Sequence, residues 1–188
     1  MDREPADEAL MLRYKDGDAG AFEALYRRHR GPLFRYFLRQ WRDRAGAEEM
    51  FQDVWTGVIR SRTRYQPAAK FTTWLYRMAH NRLMDEYRRG GGRDPVSFDD
   101  PDGPPLEALA PAASDPAREA ENREQAARLL SALAALPEAQ REAFLLHEEG
   151  GLTLEAIAAA TGVGFETAKS RLRYAVARLR QALEDRNL

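Results

Sequence analysis

From Gly90 to Pro116 the chain reads GGGRDPVSFDDPDGPPLEALAPAASDP, a stretch holding six of its ten prolines and four of its thirteen glycines. Proline withholds a backbone donor, glycine raises the entropy lost on ordering, and few apolar residues are present to offset either. A core element does not cross such a segment. A structureless loop of this length inside one compact domain is also uncommon. The 188 residues therefore divide into two small bodies, residues 1–93 and 119–188, joined by a flexible, acidic linker over 94–118.

Both bodies read as helical. Phe22, Leu25, Tyr26 and His29 recur at helical spacing after Asp18, and Pro32 suits the first turn of a further helix carrying Phe34, Phe37, Leu38 and Trp41. Phe51, Val54, Trp55, Val58 and Ile59 make a second kind of stripe, and Phe71, Leu75, Met78, Ala79 and Leu83 another. This three-four spacing is that of amphipathic helices, which four-helix packing would bury. Beyond the linker, Ala126, Leu129, Leu130 and Leu133 form a stripe, and Pro137 opens a helix with Ala143, Phe144 and Leu146. No alternating strand and no internal repeat is present. The fold class is all-α: two small helical domains joined by a flexible linker.

Net charge is −1, which singles out no partner, but its distribution is uneven. Residues 1–95 hold 19 basic and 14 acidic side chains, residues 96–122 one and seven, and residues 123–188 nine of each. No run approaches the roughly 18 apolar residues of a membrane span, and the acidic MDREPADEAL start lacks the apolar region of a signal peptide. With no cysteine, disulfides and thiolate metal sites are excluded. A cytoplasmic protein with no membrane insertion of its own is expected.

The C-terminal end carries the sharpest motif. Thr153 can cap a short helix, LEAIAAAT, that Gly162 stops, and a last helix follows from about Phe165. Ala168, Leu172, Ala175, Val176, Leu179 and Leu183 share one face of it and can pack on Ile157, Ala158 and Val163. The opposite face shows Thr167, Ser170, Arg171, Tyr174 and Arg178, flanked by Lys169 and Arg173. A helix, a glycine turn and a second helix with a cationic outer face is the pattern of a helix-turn-helix, whose second helix enters the major groove.

The stretch from Arg60 to Arg93 has nine basic residues against two acids, with Tyr65, Phe71, Trp74, Tyr76 and Tyr87 interleaved. Cations follow a phosphate backbone and aromatic faces stack on unpaired bases, so this composition suits a single strand or a duplex being opened. Asn81 offers donors and acceptors to a base edge, while Trp74, with Leu75 and Met78, reads more readily as core. His80, Asp85 and Glu86 invite a metal or hydrolytic reading, but no phosphate loop or nucleophile motif accompanies them. No catalytic residue, metal or cofactor is expected. Ahead of this stretch, Glu48, Glu49, Gln52 and Asp53 line the polar side of a helix, as a solvated edge or a surface for a basic partner.

Taken together, AEEMFQDVW, FTTWLYRMAHNRLMDEYRR and LPEAQREAFLLHEEGGLTLEAIAAATGVGFETAKSRLRYAVARLR resemble bacterial RNA polymerase sigma factors of the extracytoplasmic-function group, over nearly the whole chain except the linker. The resemblance implies that residues 1–93 are sigma region 2 and residues 119–188 sigma region 4. Region 2 would meet the clamp helices of the β′ subunit of core RNA polymerase through Glu48, Glu49, Gln52, Asp53 and Trp55. It would recognise and melt the −10 element through Arg60, Tyr65, Lys70, Phe71, Trp74, Arg77, His80, Asn81, Arg88 and Arg89. Region 4 would contact the polymerase β-flap and read the −35 element through Thr167, Lys169, Ser170, Arg171, Arg173, Tyr174 and Arg178. Phe165, Glu166, Ala168 and Tyr174 depart from the family's usual residues there. An anti-sigma factor is a further implied partner. The alternative is a helix-turn-helix regulator that binds promoter DNA without core polymerase.

Overall fold

The computed structural model describes residues 4–41, 43–89 and 116–184, and for residues 116–121 the backbone alone. Among them there is no strand. The linker expected over 94–118 lies outside the described residues except for its last three, which are helical.

The first body is built of α1 (Asp7–Lys15), α2 (Ala19–Gln40), α3 (Arg44–Ser61), a single 3-10 turn (Arg62–Arg64) and α4 (Phe71–Arg88). Aspartates set two of the helix starts. Asp18 Oδ1 accepts from the Ala21 N–H at 3.2 Å and Asp43 Oδ1 from the Gly46 N–H at 2.7 Å, each capping a first-turn amide that has no helical carbonyl four residues before it. A four-helix body is present, but it is not the four helices expected. Pro32 lies inside α2 rather than at a helix start. Its missing N–H removes one ladder bond, and burial of Leu25, Leu33, Tyr36 and Phe37 along one side keeps the helix continuous across it. The fourth helix is α1, where Leu10, Met11 and Tyr14 are buried.

The second body comprises α5 (Pro116–Ala134), α6 (Glu138–Glu148), α7 (Leu154–Thr161) and α8 (Phe165–Glu184). The expected caps are in place: Thr153 Oγ1 accepts from the Ala156 N–H at 3.3 Å, and Gly162 ends α7 at φ +69°, a left-handed conformation that favours glycine. Ala175 and Leu179 of α8 are buried against Leu133 and Leu136.

The two bodies pack on each other. One apolar cluster runs from α2 and α4 into Leu145 and Leu146 of α6, Leu152 of the connecting turn, and Ile157 and Ala160 of α7. At this seam Gly150 permits a close approach: a Cβ there would stand 2.7 Å from the Leu146 carbonyl oxygen and 3.0 Å from the Tyr76 ring. Polar groups stitch the rest. Glu142, only 5% exposed, receives the Tyr36 hydroxyl at 2.8 Å and lies 2.7 Å from His80 Nδ1. Glu149 accepts from Arg35 Nε at 2.9 Å and pairs with Arg39. Arg141, buried in α6, donates through Nε to Gln40 Oε1 at 3.1 Å. Desolvated charge is tolerated only when paired and hydrogen-bonded, and each of these groups has its partner across the seam. Burial, reinforced by the Glu142 carboxylate, holds the Tyr36 phenol far above the usual tyrosine range.

Candidate nucleic-acid and polymerase interfaces

The polar face of α4 and its N-cap carry an exposed run of candidate residues. Lys70, Trp74, Arg77, Asn81 and Arg88 are spaced four, three, four and seven residues apart and so form one stripe. Lys70, Arg77, Asn81, Arg88 and Arg89 are exposed, as is Arg60 at the end of α3. Trp74 is half-buried, with its ring edge-on to Tyr65 at 5.1 Å and tilted against Phe71 at 5.8 Å. It is part of an aromatic stack and still reachable from the stripe.

Three candidates are core side chains in this structure. Tyr65 and Phe71 are buried beneath Trp74, so they back the stripe and do not offer faces to bases. Trp55 is also buried, enclosed by Tyr26 at 5.0 Å, Phe22 at 5.8 Å and Phe51 at 6.4 Å. Helical periodicity already placed Trp55 on the apolar stripe of α3, and the polymerase contact came from the resemblance alone. Trp55 shapes the helix that carries the acids and is not itself a surface contact.

The acids of α3 are organised by a residue that the sequence reading passed over. Arg82 of α4 donates to Asp53 at 2.7 Å through Nε, to Glu86 at 2.6 Å through Nη1 and to Glu49 at 3.2 Å through Nη2. These hydrogen bonds and charges outweigh the burial that works against them and raise the guanidinium's pKa. Glu48 pairs instead with Arg44 at 3.0 Å, and Gln52 is exposed. The signal available in the sequence was the spacing of Arg82 four residues before Glu86. Its reach across to α3 required the fold.

His80, Asp85 and Glu86 do not converge. His80 turns to Glu142, Asp85 pairs with Arg88, and Glu86 with Arg82 and Arg89. Among the described residues no three His, Cys, Asp or Glu side chains are grouped to hold a metal ion.

In the second body, α8 follows the Gly162 turn with Ala168, Ala175 and Leu179 buried and Thr167, Lys169, Arg173, Tyr174 and Arg178 exposed. Of the apolar face expected from the sequence, Val176 and Leu183 remain exposed. Lys169 stands 3.7 Å from Glu166, and the Arg173 guanidinium lies 5.0 Å from the centre of the Tyr174 ring. Ser170 and Arg171 are partly covered. Arg171 lines a cavity of about 280 Å³ between the bodies, together with His80, Met84, Glu138 and Glu142. One expected −10 residue and one expected −35 residue thus meet at the same seam.

These two cationic faces match known sequences. Residues 25–93 match the family model described as Sigma-70 region 2, and residues 126–179 that described as Sigma-70, region 4. The RNA polymerase sigma factor CarQ of Myxococcus xanthus is 33% identical over 178 residues, covering 95% of this chain and 98% of that protein. The chain belongs to the extracytoplasmic-function family of RNA polymerase sigma factors. The sigma factor RpoE of Cereibacter sphaeroides is 37% identical over 177 residues, covering 92% of each chain. Two solved structures share the fold: CnrH, in complex with the cytosolic domain of CnrY, at 22% identity with a TM-score of 0.68 and coverage of 97% of this chain and 99% of that one; and RpoE of Bartonella quintana, in complex with the anti-sigma factor NepR, at 23% identity with a TM-score of 0.63 and coverage of 87% and 96%. A sigma factor joins core RNA polymerase and directs where transcription begins. No helix among the described residues is long and apolar enough to cross a membrane.

Proposed function

We propose that the first body melts the −10 element and the second reads the −35 element, with the chain acting as a cytoplasmic, non-enzymatic initiation factor. The observation that carries this reading is the exposed stripe Lys70–Trp74–Arg77–Asn81–Arg88 on α4. Its cations suit a phosphate path, its half-buried indole suits an extruded base, and its amide suits a base edge. Duplex opening then draws on base capture without a nucleotide cofactor. Each stacked base contributes about 1–3 kcal/mol, of the same order as the cost of unstacking it. On α8, Thr167, Lys169, Ser170, Arg171, Arg173, Tyr174 and Arg178 make the groove-facing set, with the early residues at base edges and the later cations at phosphates.

The acids Glu49 and Asp53, held by Arg82, with Glu48 and Gln52 beside them, form the face for the polymerase β′ clamp helices, and the second body meets the β-flap. An anti-sigma factor is the fitting regulator, as in the complex of Bartonella quintana RpoE with NepR. Promoter elements two helical turns apart lie roughly 70 Å apart at about 35 Å per turn. The stretch from Gly90 to Pro116 extends to roughly 90 Å at 3.3 Å per residue. Binding both elements therefore requires the seam to part, with polymerase as the scaffold.

The test is run-off transcription by purified core polymerase with and without the chain, on a pool of promoter fragments. Redirected start sites that share two spaced motifs are expected. Loss of opening in Arg77→Ala/Asn81→Ala, with retained binding to core, is the companion result. Tight duplex binding with no change in where core polymerase initiates would establish the regulator alternative instead.

A further inference from the structure

Helix α1 is absent from every motif considered so far, yet it grips both ends of one loop. The loop is Gln66–Lys70, between the 3-10 turn and α4. Its five residues are exposed, and the internal backbone bond seen is a short one from the Ala68 N–H to the Gln66 carbonyl at 2.8 Å. Lys15 Nζ donates to the carbonyl of Tyr65, the residue before the loop, at 2.9 Å. Glu8 Oε1 accepts from the amide of Phe71, the residue after it, at 2.6 Å. Glu8 and Lys15 are seven residues apart on α1, two turns on one face.

The chemistry of each contact is directional. The first amides of α4 lack helical acceptors, and the Lys70 side chain makes no cap bond there. A carboxylate from another element fills that place and complements the positive end of the helix. At the other end, an ammonium holds a carbonyl outside any helix. Arg62 of the 3-10 turn lies 5.3 Å from the centre of the Tyr14 ring, a third tie from α1 to this region. The grip passes on to the stripe: the buried Tyr65 ring is the edge-on partner of Trp74, and Lys70 is the stripe's first residue. Burial, then the Glu8 and Asp7 carboxylates, push the Tyr65 phenol up to about 12, so this ring remains neutral at physiological pH.

We propose that α1 is a positioning element for promoter opening: Glu8 and Lys15 hold the Gln66–Lys70 loop and, through Tyr65, the Trp74 indole in register with the extruded strand. This inference rests on the reading of the α4 stripe as the −10 surface. Neither Glu8 nor Lys15 touches DNA in it.

The experiment compares the full-length wild type with Glu8→Ala/Lys15→Met and with Glu8→Gln, each bound to core polymerase. Two templates carry a promoter that the wild type selects: one fully duplex, one unpaired across the −10 segment. The double variant should initiate at least tenfold less on the duplex and within about twofold of wild type on the unpaired template, with core binding retained. Its preference among −10 base substitutions should flatten. Glu8→Gln, which keeps an acceptor oxygen, should recover part of the duplex activity. Equal losses on both templates that track a fall in Tm would overturn the proposal, as would wild-type opening and base preference in the double variant. If the double variant does not fold, the two single variants are judged by the same criteria. Failure of the underlying reading has a different mark: the wild type itself would not redirect core polymerase.

Discussion

Glu142→Ala is the substitution for which the seam makes the sharpest demand. Both hydrogen-bonding partners of the Glu142 carboxylate, the Tyr36 hydroxyl and the His80 ring, belong to the other body. In a parted chain all three groups are hydrated, so truncation penalises the closed arrangement alone. Leaving the fully buried Tyr36 hydroxyl without an acceptor costs about 1–3 kcal/mol, and the contact to His80 goes with it, so about 2 kcal/mol is the working value. That moves the closed-to-open ratio by roughly 30-fold. The chain has no cysteine, so cysteines introduced at the exposed Thr56 and Glu148 accept a donor and an acceptor dye uniquely. Single-molecule energy transfer should show a long-distance population in Glu142→Ala and much less of it in Glu142→Gln, which keeps an acceptor for Tyr36. An unchanged distance distribution in Glu142→Ala would refute the argument that this carboxylate holds the bodies together.

Two further outcomes follow from local geometry. Asp7 receives Arg28 Nη1 at 2.9 Å and lies 2.7 Å from His29 Nε2; burial opposes its ionisation, but the hydrogen bonds from His29 and Arg28 prevail and hold the carboxyl below the ordinary aspartate range. A depressed native value adds stability above the unfolded value, about 3.9, and loses it as pH falls through the native one, so the Tm advantage of wild type over Asp7→Asn should be full near about pH 5–6 and shrink below about pH 4. Gly162→Ala forces a Cβ into φ +69° and should lower stability by about 1–2 kcal/mol in denaturant titration; Gly162→Asn, which tolerates that region better, should fall between it and wild type.

What the sequence disclosed depended on how far each interaction reached along the chain. The short helix α7, its Thr153 cap, the Gly162 stop and the start of α8 all arise within a few residues, and all were readable. Pro32 was misplaced because local proline chemistry favours a helix start, whereas burial of residues on both sides of it decides the outcome. Helix α1 was passed over because its nine residues carry only three buried side chains, and the loop contacts of Glu8 and Lys15 lie 50 or more positions away. Trp55 sat in an apolar stripe that its spacing marked for burial, and it is buried; only the family resemblance had made it a surface contact. Gln40, Arg141 and Glu142 drew no reading, because nothing within either body announces that the other will cover them.

The apolar part of the seam has a consequence for the life of the molecule. When the halves separate, Leu146, Leu152 and Ile157 on one side and the α2–α4 surface on the other lose their cover and meet water. On the proposed opening, a solitary chain is expected to fall back shut, and the spread posture would persist only while some larger body shelters both greasy flanks. Being open would then be a condition that company confers.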